Sequence, residues 1–252
     1  MRLAKGLSEA IILHFEAITG SDSYGIRAAS NFVPGSRRFV LSFRVVESVN
    51  LFPAFLKLAG RRCVVVGAGP VGEEKISGLL RAGAEVFVVA PTATEQVRAW
   101  ASEGRIRWEA RKFRPSHLRD AFVVVAATSS VELHEKIFRL ARRRGVLCNV
   151  VDDPGRCDFY YGSVVKRGSL QIAISTGGLS PALAQRLRKQ FEEQFGAEYE
   201  AWIAELGETR ERLFARKIDP ARRKQLLHRL ASELSFEEFL RRRKRAALKG
   251  RK

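Results

Sequence analysis

The 252-residue sequence predicts an α/β fold: a parallel sheet, then a β-rich segment, then a helical C-terminal region. Three observations predict it. Up to about residue 152, apolar β-branched runs alternate with amphipathic helical stretches, the pattern of βαβ units. The first run, Val64-Val65-Val66, breaks into Gly67-Ala68-Gly69-Pro70-Val71-Gly72, with G-x-G-x-x-G spacing, and then into helical Glu73-Glu74-Lys75-Ile76. Beyond residue 152 the alternation stops, two β-rich runs follow, and the remainder is helical and highly charged. The sheet is therefore expected to be Rossmann-like.

Each element has its own local signal. Arg62 to Val66 forms the first strand, and a helix covers about Val71 to Arg81 with Ile76, Leu79 and Leu80 as its apolar stripe. Ala82-Gly83-Ala84 stops it, and Glu85 to Ala90 forms the second strand. Thr92 or Thr94 caps a helix running to Ser102, with Val97 and Trp100 inward. Ile106 to Glu109 is a short third strand, and Arg114-Pro115-Ser116-His117-Leu118 a turn with a brief helix. Ala121 to Ala126 reads as a buried strand, Val131 to Arg144 as a helix stopped by Gly145, and Val146 to Val151 as the fifth strand. Tyr160 to Val165 and Leu170 to Ser175 are joined by Lys166-Arg167-Gly168-Ser169, a hairpin signature. Two strands cannot bury themselves alone, so this hairpin pairs with another chain or packs on the first domain. Ser180-Pro181 starts the helical region, which runs through Ala182–Phe195, Tyr199–Arg216 and a helix from about Pro220.

Composition sets the bounds. The chain is 46% hydrophobic and has no apolar run of transmembrane length, so no membrane partner is expected. Its net charge is +18, but residues 241–252 alone carry eight positive charges and no acid, and they read as a solvated basic tail. Cys63, Cys148 and Cys157 lack metal-ligand spacing and read as reduced structural thiols of a cytoplasmic protein; no metal site is expected. The four histidines read as surface or packing groups, with a role for His117 left open. Residues 1–48 lack the order of a signal peptide and are expected to form a poorly ordered extension, the other possibility being a helix around Ser8 to Ile18.

The chemistry should lie at the carboxyl ends of the parallel strands. Gly67 permits the tight turn, Gly69 lets the backbone approach a pyrophosphate, and Gly72 allows close helix packing. The helix N-terminus then favours the phosphate anion. Among the strand ends, only Val151-Asp152-Asp153-Pro154 offers a proton acceptor, either Asp152 or Asp153. The usual ribose-binding carboxylate after the second strand is missing, because that stretch reads Val88-Val89-Ala90-Pro91-Thr92, so the residues do not choose between NAD and NADP.

Leu51-Phe52-Pro53-Ala54-Phe55-Leu56 before the glycine turn, Cys148-Asn149-Val150-Val151-Asp152-Asp153-Pro154, and Ile174-Ser175-Thr176-Gly177-Gly178-Leu179-Ser180-Pro181 resemble the siroheme synthase family. The likeness is to its precorrin-2 dehydrogenase / sirohydrochlorin ferrochelatase module and covers about residues 50–240; the uroporphyrinogen methyltransferase domain has no counterpart in it. The resemblance implies NAD-dependent oxidation of precorrin-2 to sirohydrochlorin, with ferrous iron as a further substrate in some members. It puts the active-site aspartate on Asp152 and the substrate loop on Ser175, Thr176, Gly177 and Gly178. Cofactor contacts fall on Gly67, Gly69, Pro70, Val71, Gly72, Pro91, Thr92 and Thr128. It also implies a homodimer through the β-rich segment.

The expected domains are the extension at 1–48, an NAD-binding domain at 49–153, a dimerisation segment at 154–178, a helical domain at 179–240 and a basic tail at 241–252. Because the resemblance starts near Asn50, the extension is expected to be dispensable, with Val49 standing where an initiator would. The alternative reading is an NAD-sensing regulator whose Arg-rich C-terminus binds nucleic acid, a partner that the Asp152 carboxylate and the Ser175–Gly178 loop argue against.

Overall fold

The computed structural model describes residues 25–30, 41–46 and 50–249. It divides into two units, Met1–Phe52 and Pro53–Lys252. In the first, β1 (Gly25–Ser30) and β2 (Leu41–Val46) pair antiparallel, with Gly25 opposite Val46 and Ser30 opposite Leu41. This pair lies within the segment expected to be poorly ordered. The helix considered around Ser8 to Ile18 lies outside the described residues.

The second unit begins with the parallel sheet. Its strands are β3 (Arg62–Val66), β4 (Glu85–Val89), β5 (Arg107–Glu109), β6 (Val123–Ala126) and β7 (Leu147–Val150). They lie in the order β5-β4-β3-β6-β7, all parallel. The chain thus builds outward from β3 to one side, then returns across it to build the other. The crossover helices are α1 (Pro70–Arg81), α2 (Glu95–Ser102) and α3 (Val131–Arg144).

Strand periodicity divides the core into two layers. Cys63 and Val65 face the layer that takes Ile76 and Leu79 of α1 and Val97 and Trp100 of α2. Val64 and Val66 face the layer that takes Ile137, Leu140 and Ala141 of α3, with Phe113 and Leu118. Both faces of the sheet are covered, which is why its strands read as continuous apolar runs. Thr94, not Thr92, caps α2 by accepting from the Val97 N–H at 3.3 Å. Ser130 caps α3, which ends at left-handed Gly145 as the sequence indicated.

Beyond the sheet, β8 (Ser163–Arg167) and β9 (Leu170–Ile174) form a hairpin closed by Gly168-Ser169, with Gly168 at φ +56°. A positive φ at this position matches the strand twist, and glycine adopts it without strain. The helices α4 (Pro181–Gln194), α5 (Glu198–Ala215), α6 (Pro220–Leu230) and α7 (Glu233–Lys249) follow. The hairpin packs on α4 and α5 rather than on the parallel sheet. Arg167 fixes it there: its Nε donates to the Phe195 carbonyl at 2.8 Å and its Nη2 to the Glu192 carbonyl at 3.0 Å. These are carbonyls at the open C-terminal end of α4, where a cation is favoured.

The basic tail is exposed from Arg241 to Leu248, as a solvated segment should be, and it is helical through Lys249. Arg242 pairs with Glu205 of α5 at 2.7 Å, and Phe239 just before the tail is 3% exposed. Tyr199 and Trp202 of α5 meet Phe236 of α7, with ring centroids 4.6 and 4.7 Å apart. That aromatic contact, rather than charge, holds α7. Among the described residues, no helix is long and apolar enough to cross a membrane.

Candidate functional site

The strand order reverses between β3 and β6, so a crevice opens beyond their carboxyl ends, the place where open α/β sheets bind ligands. The glycine turn lies there. Gly67 has φ +105°, and a Cβ on it would collide with the Ala127 carbonyl at the end of β6. A Cβ on Gly72 would collide with the Gly67 carbonyl. At Gly69 the geometry is the opposite: φ is −75° and nothing lies within 4 Å of where a Cβ would stand. Two glycines therefore close the turn, and the third leaves open space at the N-terminus of α1. Backbone N–H groups at that end have no intrahelical partner, so the cradle fits a dinucleotide pyrophosphate.

The other predicted cofactor residues surround this turn. Pro70 and Val71 open α1 and are exposed. Pro91 and Thr92 are exposed at the end of β4, where Trp108 Nε1 donates to the Ala90 carbonyl at 3.0 Å. The Thr94 N–H donates to the Ala68 carbonyl at 3.0 Å and ties this loop to the glycine turn. Thr128 follows β6; its carbonyl accepts from His134 Nε2 at 2.7 Å and its Oγ1 accepts from the Ser130 N–H.

A second recess, a cleft of about 440 Å³, lies at the end of β7. It brings together Asp152, Asp153, Ser175, Thr176 and Gly178. These residues are more than twenty positions apart in the chain, and the fold joins them. Gly177 at φ +60° and Gly178 at φ +84° make a left-handed pair, which explains the two consecutive glycines. Ser175 Oγ accepts from the Gly177 N–H and Thr176 Oγ1 from the Ser180 N–H, so both hydroxyls hold the loop's shape.

The two aspartates are not equivalent. Asp153 takes a hydrogen bond from Arg156, whose Nε also binds Glu135 of α3 at 2.7 Å. Asp152 stands exposed at φ +60°, and no hydrogen bond or ion pair engages its carboxylate among the described residues. Aspartate is one of the few non-glycine residues that tolerate this left-handed conformation. Behind the loop, buried Asn149 donates from Nδ2 to the Phe159 carbonyl at 2.9 Å.

Sequence reasoning left His117 open; the structure places it away from the cleft. It lies 7% exposed between Phe87 and Phe113, with Nδ1 accepting from the Arg114 N–H at 3.0 Å and Nε2 3.4 Å from Glu109. Burial pushes its pKa down, against the raising effect of Glu109. The thiols are structural. Burial pushes Cys63 up to about 11 and Cys148 up to about 12. Cys157 donates from Sγ toward the Val150 and Asp153 carbonyls, each at 3.2 Å. Among the described residues no group of three or more His, Cys, Asp or Glu side chains is arranged to hold a metal ion.

Lys75 and Arg156 escaped the sequence reading. Lys75 lies on the α1 face that carries Gly72 and Leu79, and its side chain is 16% exposed as it reaches the cleft at the end of β7. Its spacing from those two residues was the available signal, because positions three and four apart share a helix face.

Comparison with known proteins agrees with this geometry. The family model described as "Putative NAD(P)-binding" matches residues 54–163, and "Sirohaem biosynthesis protein central" matches residues 167–194. The chain is 39% identical over 186 residues to the siroheme synthase of Nitrosospira multiformis, which spans 72% of this chain and 39% of that protein. It is 44% identical over 144 residues to the siroheme synthase of Neisseria meningitidis serogroup C, over 57% of this chain and 30% of that protein. The chain thus spans well under half the length of these curated relatives. Among solved structures, "SirC, precorrin-2 dehydrogenase" aligns with a TM-score of 0.63 at 26% identity, over 76% of this chain and 98% of that one. The chain is thus similar to siroheme synthases over less than half of their length, through a match to an NAD(P)-binding model followed by a match to the central region of sirohaem biosynthesis proteins.

Proposed function

We propose that this chain oxidises precorrin-2 to sirohydrochlorin in siroheme synthesis, with NAD as the acceptor. The observation that carries the reading is the convergence of Asp152 and the Ser175–Gly178 loop on one cleft, beside a sheet whose glycine turn fits a dinucleotide. The resemblance to a precorrin-2 dehydrogenase structure supports the same substrate. When bound, the nicotinamide supplies the hydride acceptor: precorrin-2 and NAD⁺ give sirohydrochlorin, NADH and one proton.

The chain's own residues do the rest. Gly67, Gly69, Pro70, Val71 and Gly72 hold the pyrophosphate, with Pro91, Thr92 and Thr128 around the remaining dinucleotide. Asp152 accepts the proton released by the macrocycle, and a carboxylate with no partner among the described residues suits that task. Ser175, Thr176, Gly177 and Gly178 shape the floor on which the macrocycle lies. In the same reading ferrous iron is a second substrate: the macrocycle nitrogens take the metal while Asp152 receives their protons.

The domain assignment follows: residues 49–153 bind the cofactor, 154–178 dimerise, 179–240 form the helical domain and 241–252 are a basic appendage. The exposed outer face of the hairpin, with Val164 45% exposed, supports a homodimer. The enzyme would act in the cytoplasm.

The test is incubation of the purified protein with precorrin-2 and either NAD or NADP. Sirohydrochlorin absorbance should rise with NAD; no rise with either cofactor overturns the reading. Ferrous iron added afterwards should shift the spectrum to that of siroheme, and light scattering should report a dimer.

A further inference from the structure

Among the described residues lining the cleft at the end of β7, Lys75 is the one cation. It comes from an unexpected direction. Its backbone lies in the helix that begins at the dinucleotide cradle, yet its side chain reaches the cleft that holds Asp152. The side chain is 16% exposed, so most of its stem is covered on the way to the cleft. Two contacts orient it: Nζ lies 3.0 Å from Glu74 Oε1 and 4.7 Å from the centre of the Tyr161 ring. Glu74 is 73% exposed, and an ion pair with so exposed a partner contributes little. Such a pair yields readily to an anion that enters the cleft itself.

We infer that Lys75 is the carboxylate-binding cation of this cleft and sets its preference for an acidic macrocycle. The inference rests on the function proposed above, because precorrin-2 and sirohydrochlorin carry carboxylate side chains around the ring. Tyr161 flanks the ammonium with its ring face, and one N–H donates to exposed Glu74 while the others are available to an anion. A carboxylate arriving there gains a charge-assisted hydrogen bond, the strong kind. One helix thus presents its N-terminus toward the dinucleotide and Lys75 toward the macrocycle.

The experiment compares the wild type with Lys75→Gln and Lys75→Arg in two titrations, NADH by fluorescence and sirohydrochlorin by absorbance. Lys75→Gln should weaken sirohydrochlorin binding on the order of tenfold to a hundredfold and raise KM for precorrin-2 similarly. NADH affinity should stay within about twofold, and Lys75→Arg should restore most of the loss. A Lys75→Gln protein with unchanged sirohydrochlorin affinity overturns the inference. So does a parallel loss of NADH affinity, which would make Lys75 a support of α1 only. A measurement on the wild type needs no variant: sirohydrochlorin octamethyl ester should bind at least tenfold more weakly than the free acid, and equal binding overturns the inference. Failure of the wild type to oxidise precorrin-2 instead removes the proposed function, and the inference falls with it.

Discussion

Arg156 holds Asp153 and leaves Asp152 alone. The guanidinium spans from the Asp153 carboxylate to Glu135 of α3, with Nε 2.7 Å from Glu135 Oε2. Glu135 also meets Arg139 at 3.2 Å, so the loop after β7 is fastened to the helix before it. The next residue back, Asp152, is held at φ +60° by a loop whose other acids are committed elsewhere. Asp158 accepts from the Cys148 N–H at 2.9 Å. Among the described residues the arrangement separates one unengaged carboxylate from two that maintain shape.

Asp152→Asn should therefore lower kcat for precorrin-2 oxidation by about 10²–10⁴-fold, the usual weight of a general acid–base group. NADH affinity should remain close to that of the wild type. Asp153→Asn should instead loosen the Arg156 contact and lower thermal stability, with the larger part of turnover retained. Wild-type rates in the Asp152 variant, with loss in the Asp153 variant, would reverse the two roles.

Gly69→Val should abolish dinucleotide binding without unfolding the protein. Its φ of −75° suits any residue, and no atom stands within 4 Å of the new Cβ. Thermal stability should change by less than about 1 kcal/mol, as for other surface sites. Gly67→Val should fail to fold, since φ +105° and the Ala127 carbonyl both exclude a side chain. Calorimetry with NADH titration checks both.

His117 should give the protein an acid-sensitive stability. Burial lowers its folded pKa, so the unfolded chain binds more protons below the ordinary histidine value of about 6.5. Stability is then unaffected by this group above about pH 6.5 and falls as the pH drops below it toward the lower folded value. Protonation at Nδ1 would also remove the acceptor of the Arg114 N–H. Denaturant midpoints between pH 5 and 8 should show this decline in the wild type and a shallower one in His117→Asn.

Removing residues 241–252 should leave kcat and NADH affinity unchanged. The cut falls after Phe239, so the aromatic contact of α7 survives, and the lost Arg242–Glu205 pair is largely solvent-exposed. Such a pair contributes under about 1 kcal/mol. Any adventitious nucleic-acid retention at low salt should fall with the tail. A large loss of kcat would show that the tail serves the cleft.

What the sequence by itself determined is local. The glycine spacing, the apolar runs of the sheet and the bounds Val131–Arg144 are written in residues a few positions apart, because backbone sterics and side-chain periodicity act over that range. The cap Ser180 was legible for the same reason. Tertiary structure decided what depends on distant partners. Asp152 and Asp153 carry one side chain and one kind of neighbourhood in the sequence; only Arg156, braced by Glu135 twenty-one positions away, separates them. Thr94 prevailed over Thr92 because the Ala68 carbonyl receives its N–H. The hairpin found its support on α4, through Arg167 and carbonyls 25 and 28 residues on. Lys75, read along its helix, is one more charged residue on a surface; it becomes a cleft group only where the fold sets the loop after β7 against α1. A side chain's chemistry is set by what desolvates and contacts it, and for these residues that environment comes from other segments of the chain.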